Sequence, residues 1–193
     1  EFISEDGKIF LRAKTSWALL NRHSGKPMRV TDEIIAPFIT DDGWRPMQPS
    51  DLSAVDHIAK TVHVDYPEDI AVYHNRLALY PQGCMAFERE GAALGYMVAH
   101  PWPDDGAPPK LNQILDVMPE SDCLYLHDIA LLPETRGSGA GRVATAKLKD
   151  FAKDQGYRKI WLTAVSGADS FWAQQGFNRV GDDSPYGEGT MVM

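Results

Sequence analysis

Leu124-Tyr-Leu-His-Asp-Ile-Ala-Leu-Leu-Pro-Glu-Thr-Arg-Gly-Ser-Gly-Ala-Gly-Arg-Val-Ala-Thr-Ala-Lys147 reads as a strand, a glycine-rich turn and a helix. Leu124 to Leu132 is rich in strand formers, and Pro133 ends the ladder because it has no N–H to donate. Arg136 to Gly141 then sets glycines at 137, 139 and 141, ahead of apolar residues at helical spacing. Bare backbone N–H groups at the start of a helix, where the dipole also favours negative charge, make a cradle for an anion such as a pyrophosphate.

Two phosphate-binding patterns fit this turn badly. A kinase-type loop ends in Gly-Lys-Ser/Thr, whereas Gly141 is followed by Arg142 and Val143. The dinucleotide pattern Gly-x-Gly-x-x-Gly survives only as a loose variant, because its third glycine falls on Arg142 or Ala144. Arg-Gly-x-Gly-x-Gly after a strand ending in Pro fits without adjustment, and it resembles the acyl-CoA pyrophosphate loop of the GCN5-related N-acetyltransferases (GNATs). Other stretches carry the same resemblance. Ile160-Trp-Leu-Thr-Ala-Val-Ser166 is a strand, Ala168-Asp-Ser-Phe-Trp-Ala-Gln-Gln-Gly-Phe177 is similar to the family's helix ending in Phe-Tyr-x-x-x-Gly-Phe, and Trp44-Arg-Pro-Met47 resembles its first strand. The likeness covers about residues 44–193, in the family's order.

The resemblance implies an α/β (α+β) fold with a mixed, mostly antiparallel sheet and helices on both faces. It implies an acyl-CoA held where the parallel strands 124–132 and 159–165 splay apart. The pantetheine arm would pair with the backbone of Ile129, Ala130 and Leu131. The pyrophosphate would rest on Arg136, Gly137, Ser138, Gly139, Ala140, Gly141 and Arg142. The implied activity is transfer of an acetyl group from acetyl-CoA to a primary amine of a small molecule or peptide by direct attack, with backbone N–H near Leu131 stabilising the oxyanion.

For the catalytic base, strand alternation sends Tyr125, His127, Ile129 and Leu131 to one face and Leu124, Leu126, Asp128 and Ala130 to the other, so His127 and Asp128 are not expected to meet one substrate. The segment resembles the strand of arylalkylamine N-acetyltransferases that carries a histidine at the place of His127. A histidine's ordinary pKa of about 6.5 suits removal of a proton from an ammonium. Both residues remain candidates, beside a purely structural reading of each. A second class of function stays open, acyl-CoA binding without transfer, as a sensor or regulatory module. Trp172 stands where the family's helix commonly carries a proton-donating tyrosine, and an indole is not a useful acid. Ser166 stands near the place of a frequent asparagine.

Composition bounds these readings. At 193 residues, 44% hydrophobic and 24% charged, the chain has the make-up of a globular protein with one good core and a small appendage. A net charge of -8 argues against nucleic acid as the main partner, since phosphate binding needs clustered Lys and Arg. Cys84 and Cys123 stand far apart with no Cys-x-x-Cys, and no N-terminal apolar segment reads as a signal peptide or membrane span, so a reducing cytoplasm is the expectation. Cys84, set among Gly83, Met85, Ala86 and Phe87, reads as a buried structural thiol. The chain starts at Glu1, which implies processing or a longer product.

Residues 1–30 read as a β-meander with a hairpin turn at Glu5-Asp-Gly-Lys8 and alternation from Ile9 to Leu19, followed by a turn over Arg22 to Lys26. With the residues as far as Glu33-Ile34, this segment resembles the last strands of a hotdog-fold acyl-CoA thioesterase, without that enzyme's central helix or catalytic half. A family-specific hairpin is the equal alternative. Its apolar face is expected to be buried, against the rest of the chain, missing sequence, or a second copy in a homodimer. Thr40-Asp-Asp-Gly43 marks a boundary between residues 1–40 and 41–193.

Further on, Ser50 is expected to cap a helix with Leu52, Val55, Ile58 and Val62 on one side, and a second helix is expected over 68–79 with Ile70, Tyr73 and Leu77 inward. By the resemblance this pair lies beside the acceptor, which makes His57, His63, Tyr66 and His74 candidates for contact. No convincing metal-ligand pairing appears among them. A hairpin turns at Glu90-Gly91. The proline-rich loop after His100 has Trp102, Leu111 and Asn112 to offer a pocket. The helix expected over 141–155 buries Ala144, Leu148, Phe151 and Ala152, ends at Gly156, and precedes a last strand over Thr190 to Met193.

Overall fold

The computed structural model describes residues 20–28, 43–104, 107–165, 167–180 and 190–193, with the strand backbone of 2–3 and 9–11. Contacts group the chain into two compact units, residues 1–40 and 41–193. In the first, β1 (Phe2–Ile3) pairs antiparallel with β2 (Ile9–Leu11), and a bridge joins Leu20 to Pro27. The turn inside that bridge is tied by Asn21, whose side-chain oxygen accepts from the His23 and Ser24 amides at 3.0 and 2.9 Å. The thioesterase-like reading of this unit falls largely on residues outside those described.

The second unit is a six-stranded sheet in chain order: β3 (Trp44–Pro46), β4 (Cys84–Arg89), β5 (Ala92–Pro101), β6 (Cys123–Leu131), β7 (Lys159–Ala164) and β8 (Met191–Val192). All neighbours are antiparallel except β6 and β7. The β4–β5 hairpin turns on Glu90 and Gly91, both with positive φ (52° and 78°), a twist that matches the flanking strands.

Helices α1 (Leu52–Val62) and α2 (Ile70–Leu79) cover one face, packing Leu52, Val55, Ile58, Ala59, Tyr73 and Leu77 on Cys84, Tyr96, Val98 and Ala130. Helices α3 (Ala140–Asp154) and α4 (Asp169–Gln174) cover the other, packing Ala144, Leu148, Ala152 and Trp172, with Phe177 just past α4, against Phe87, Met97, Ala99, Leu124, Leu126 and Leu162. Each large apolar side chain buried in these layers contributes about 1.5–3 kcal/mol. Gly156, at φ 79°, follows the end of α3. Cys84 is buried, and burial pushes its thiol up to about 12, in keeping with an inert structural role.

Three local expectations need correction. Ser50 does not cap α1. It lies inside a 3-10 turn, Pro49–Asp51, where the Asp51 carboxylate accepts from the Gln48 amide at 2.7 Å and grips Arg45 at 2.7 and 2.8 Å. Val62 is 37% exposed, because α1 ends there and the inward stripe closes with Ile58 and Ala59. Helix α2 begins two residues later than expected. Asp69 is its cap, accepting from the Ala71 amide at 2.9 Å, and this leaves Glu68 outside the helix.

Candidate active site

The strand β6 runs beside β7 only from Cys123 to Leu126, paired with Lys159 to Leu162. Beyond that point β7 is paired on its other edge alone, with β8, through Thr163 with Val192 and Ala164 with Met191. Among the described residues no strand pairs with the β7-side edge of β6 over residues 127–131. His127, Asp128, Ile129 and Leu131 are correspondingly half-buried. The expected splay is therefore present, and it includes Ile129, Ala130 and Leu131.

The chain then turns through a 3-10 segment, Pro133–Thr135, into the glycine loop. Its amides divide in alternation. Those of Arg136, Ser138 and Ala140 are used internally, on Pro133 O at 3.1 Å, Thr135 O at 3.1 Å and Ser138 Oγ at 3.2 Å. Those of Gly137, Gly139 and Gly141 have no acceptor among the described residues. Gly137 and Gly139 have φ of 74° and 80°, a region that favours glycine, whereas Gly141 sits where an added Cβ would come 3.3 Å from Phe171 and 3.5 Å from Leu131. Of the amides of residues 136–141, those of the glycines are the ones with no acceptor among the described residues.

On β6 the expected alternation fails. Val98 of β5 faces Asp128, but Ala99 faces Leu126, so His127 is the extra residue of a β-bulge. Leu124, Leu126, Ile129 and Leu131 pack toward α3 and α4, and Ala130 packs toward α1 and α2. His127 and Asp128 both project to the α1–α2 face. The opposed arrangement expected from a regular strand is corrected by this single inserted residue.

Each meets a partner from the segment joining α1 to α2. His127 Nε2 lies 2.8 Å from Glu68 Oε2, while Glu68 Oε1 accepts from the Asn112 amide at 3.0 Å. With the carboxylate accepting, Nε2 carries a proton, so in the neutral imidazole the lone pair is on Nδ1, which is buried with no hydrogen-bond partner. Asp128 Oδ2 accepts from Tyr73 Oη at 3.0 Å and from Tyr96 Oη, and the two phenols are 3.2 Å apart. Asp128 Oδ1 stands 2.8 Å from His63 Nε2. That contact is close but lacks the alignment of a hydrogen bond; with His63 protonated it is an ion pair.

The electrostatics follow from these neighbours. Burial works against charge on His63, but Asp128, the Ile129 backbone and Glu68 outweigh it and raise its pKa above the ordinary histidine value. Burial likewise favours the neutral form of Asp128, yet His63, Tyr96 and His127 hold its carboxyl below the usual carboxylate range. Burial and then the Asp128 charge push the Tyr73 and Tyr96 phenols up. His100, whose ring centroid is 5.4 Å from that of His127, is pushed down to about 3 by burial and by that neighbour.

Of the other candidates, His57 and His74 face solvent, and Tyr66 is half-buried, its amide donating to His63 O at 3.2 Å. From the proline-rich loop Asn112 reaches the site through Glu68, and its side-chain oxygen also accepts from the Asp69 amide at 2.7 Å. Trp102 packs on His100, and Leu111 is 39% exposed. Trp172 is buried between Phe171 and Phe177. Glu68, Tyr73 and Tyr96 were not marked as site residues by the sequence. The one available signal was Asp69, a cap-forming residue that leaves the carboxylate before it outside the helix. No group of three or more potential metal ligands occurs among the described residues, and no helix among them is long and apolar enough to cross a membrane.

A family model described as acetyltransferase (GNAT) family matches residues 51–177. No curated protein matches the chain by sequence. Among solved structures, Ard1 from Thermoplasma volcanium is similar with a TM-score of 0.62 at 15% identity, over 77% of this chain and 93% of that one. The ribosomal-protein-S18-alanine N-acetyltransferase from Escherichia coli gives 0.54 at 19%, over 77% and 87%. A Mycobacterium tuberculosis protein, Rv2747, solved in complex with CoA, gives 0.54 at 17%, over 72% of each. At these identities the likeness is one of fold.

Proposed function

The chain belongs to the GNAT acetyltransferase family, and on that premise we propose that it transfers an acetyl group from acetyl-CoA to a primary amine of a small molecule or peptide. The observation that carries this reading is the parting of β6 from β7 directly before a loop with three unengaged glycine amides. The free edge of Ile129, Ala130 and Leu131 is suited to the amide groups of a pantetheine arm. The amides of Gly137, Gly139 and Gly141, at the start of α3, are suited to a pyrophosphate. Acetyl-CoA supplies the activated acyl group.

In this reading His127 takes the proton of the amine. Glu68 fixes its tautomer through Nε2–H and keeps the lone pair on Nδ1. The side chains of the pair are 4% and 6% accessible, and the lowered local dielectric strengthens their interaction. Asp128 serves as a charged anchor for Tyr73, Tyr96 and His63 rather than as a base, since its carboxyl is held low and engaged on both oxygens. The Escherichia coli neighbour is named for acetylation of an alanine amine, so N-terminal peptides belong on the list of acceptors alongside small amines.

The test is incubation of the protein with acetyl-CoA and a panel of primary amines and short peptides, with product identified by mass spectrometry. An acetylated acceptor formed in step with free CoA thiol supports the proposal. Tight CoA binding with no acetylated product from any acceptor would instead favour a non-catalytic acyl-CoA sensor.

A further inference from the structure

The assignment of His127 and Glu68 leaves a second histidine–carboxylate pair unused beside it. The two pairs are built reciprocally. Strand β6 supplies His127 and Asp128, and the segment joining α1 to α2 supplies Glu68 and His63. The bulge at His127 brings both pairs to one face of the sheet. We propose that His63, held by Asp128, donates the proton that the departing thiolate takes up, so that the two pairs divide the proton transfers of a single reaction. This rests on the acetyltransfer reading above.

The partners distinguish the two histidines. Glu68 accepts one N–H from His127 and one from Asn112, which leaves His127 a lone pair on Nδ1, the state of a base. Asp128 accepts two phenol O–H groups on Oδ2 and presents Oδ1 to His63. His63 has two acceptors against it, the Asp128 carboxylate at 2.8 Å and the Ile129 backbone, where His127 has Glu68 on Nε2 and no partner on Nδ1; an imidazole between two acceptors favours the imidazolium, the state of an acid. Position agrees with this. The His63 side chain is 18% accessible against 4% for His127, and it lies against the backbone of Ile129, on the stretch of β6 whose edge is open. The groups around His63 are Asp128 and His127 on β6, Glu68 on its own segment, and Tyr73 of α2 and Tyr96 of β5 reached through Asp128.

The balance of the step is complete. The amine nitrogen forms a C–N bond to the acyl carbon and gives one proton to His127. The C–S bond breaks with its electron pair on sulfur, which takes one proton from the His63 imidazolium. The products are an amide and the free thiol, and the two histidines exchange their protons with solvent before the next turnover. Pairs of titratable groups whose surroundings favour opposite protonation states are the usual basis of such a division.

The experiment is the pH dependence of kcat for acetyl transfer to the acceptor found above, with the full chain, for wild type, His63→Gln and Asp128→Asn. Calorimetry of acetyl-CoA binding serves as the check that each variant is folded. His63→Gln is expected to lower kcat by about 10²-fold near neutral pH and to abolish the descending alkaline limb, with acetyl-CoA affinity kept within about twofold. Asp128→Asn is expected to move that limb to lower pH, because the imidazolium loses its carboxylate. An unchanged descending limb in His63→Gln overturns the proposal, and so does loss of the ascending limb instead, which would make His63 the base. A wild type that transfers to no amine overturns the acetyltransfer reading and this inference with it; a transferring wild type with an intact limb in His63→Gln overturns this inference alone.

Discussion

His127 and Asp128 are consecutive on β6 and project to the same face of the sheet, each held by the segment between α1 and α2. Asp128 is the more deeply embedded in the fold, with two tyrosines from different elements and His63 converging on one carboxylate. Asp128→Ala removes the acceptor and leaves two buried phenols and an imidazole without it. Breaking such a network costs about 3–5 kcal/mol. Tyr73→Phe removes one donor to the charged oxygen and is expected to cost about 1.5–3 kcal/mol. Urea unfolding measures both, and equal, small losses would show that the carboxylate is not the centre of the cluster.

The pH dependence of stability has a defined sign at His63. Its folded pKa is raised above the unfolded value of about 6.5, so its contribution is fully present below that pH and is lost as pH rises through the folded pKa. The stability gap between wild type and His63→Gln is therefore expected to be widest in mildly acidic buffer and to narrow toward alkaline pH. Urea titrations at several pH values would show it. A gap that does not vary with pH would mean that His63 contributes by packing alone.

Glu68 acts through His127. Glu68→Gln retains the size of the side chain but lets an amide N–H face Nε2, which favours the wrong imidazole tautomer. A fall in kcat of about 10²-fold is expected, with the acetyl-CoA dissociation constant unchanged by calorimetry. Asn112→Ala keeps its backbone N–H on Glu68 and is expected to act more weakly in the same direction, by loosening the loop that Asp69 grips. A kcat unaffected by Glu68→Gln would remove Glu68 from the account.

The loop glycines are expected to separate by function. Gly139→Val forces a β-branched residue to φ 80°, a strain of about 1–2 kcal/mol, and is expected to weaken CoA binding at least about tenfold by disturbing the cradle. Gly141→Val meets Phe171 and Leu131 and is expected to cost about 1–3 kcal/mol of stability by overpacking. Calorimetry and urea unfolding on both variants distinguish these effects. Unaltered CoA affinity in Gly139→Val would reduce the loop to a turn.

The elements that depend on local chemistry were legible in the sequence. Pro133 and the spaced glycines announced the end of β6 and the loop, Glu90-Gly91 announced its hairpin, and the apolar period of Ala144, Leu148 and Ala152 announced α3. The site was legible only in part. The bulge at His127 arises from how β6 pairs with β5, and no residue type on β6 requires it, so counting along the strand placed His127 and Asp128 on opposite faces. Glu68 was assigned to a helix because its neighbours suit one, and the cap at Asp69 decided otherwise. Tyr96 reaches Asp128 across paired strands and Tyr73 reaches it from a helix 55 positions away, relationships that no local pattern encodes.

The most direct test of the account is the pH–rate profile of acetyl transfer by His127→Ala beside that of the wild type, with acetyl-CoA affinity measured on both. The account predicts that kcat falls by about 10²–10⁴-fold, that the ascending limb of the profile disappears, and that the dissociation constant for acetyl-CoA stays within about twofold. A His127→Ala protein with the wild-type kcat and the same ascending limb would contradict it.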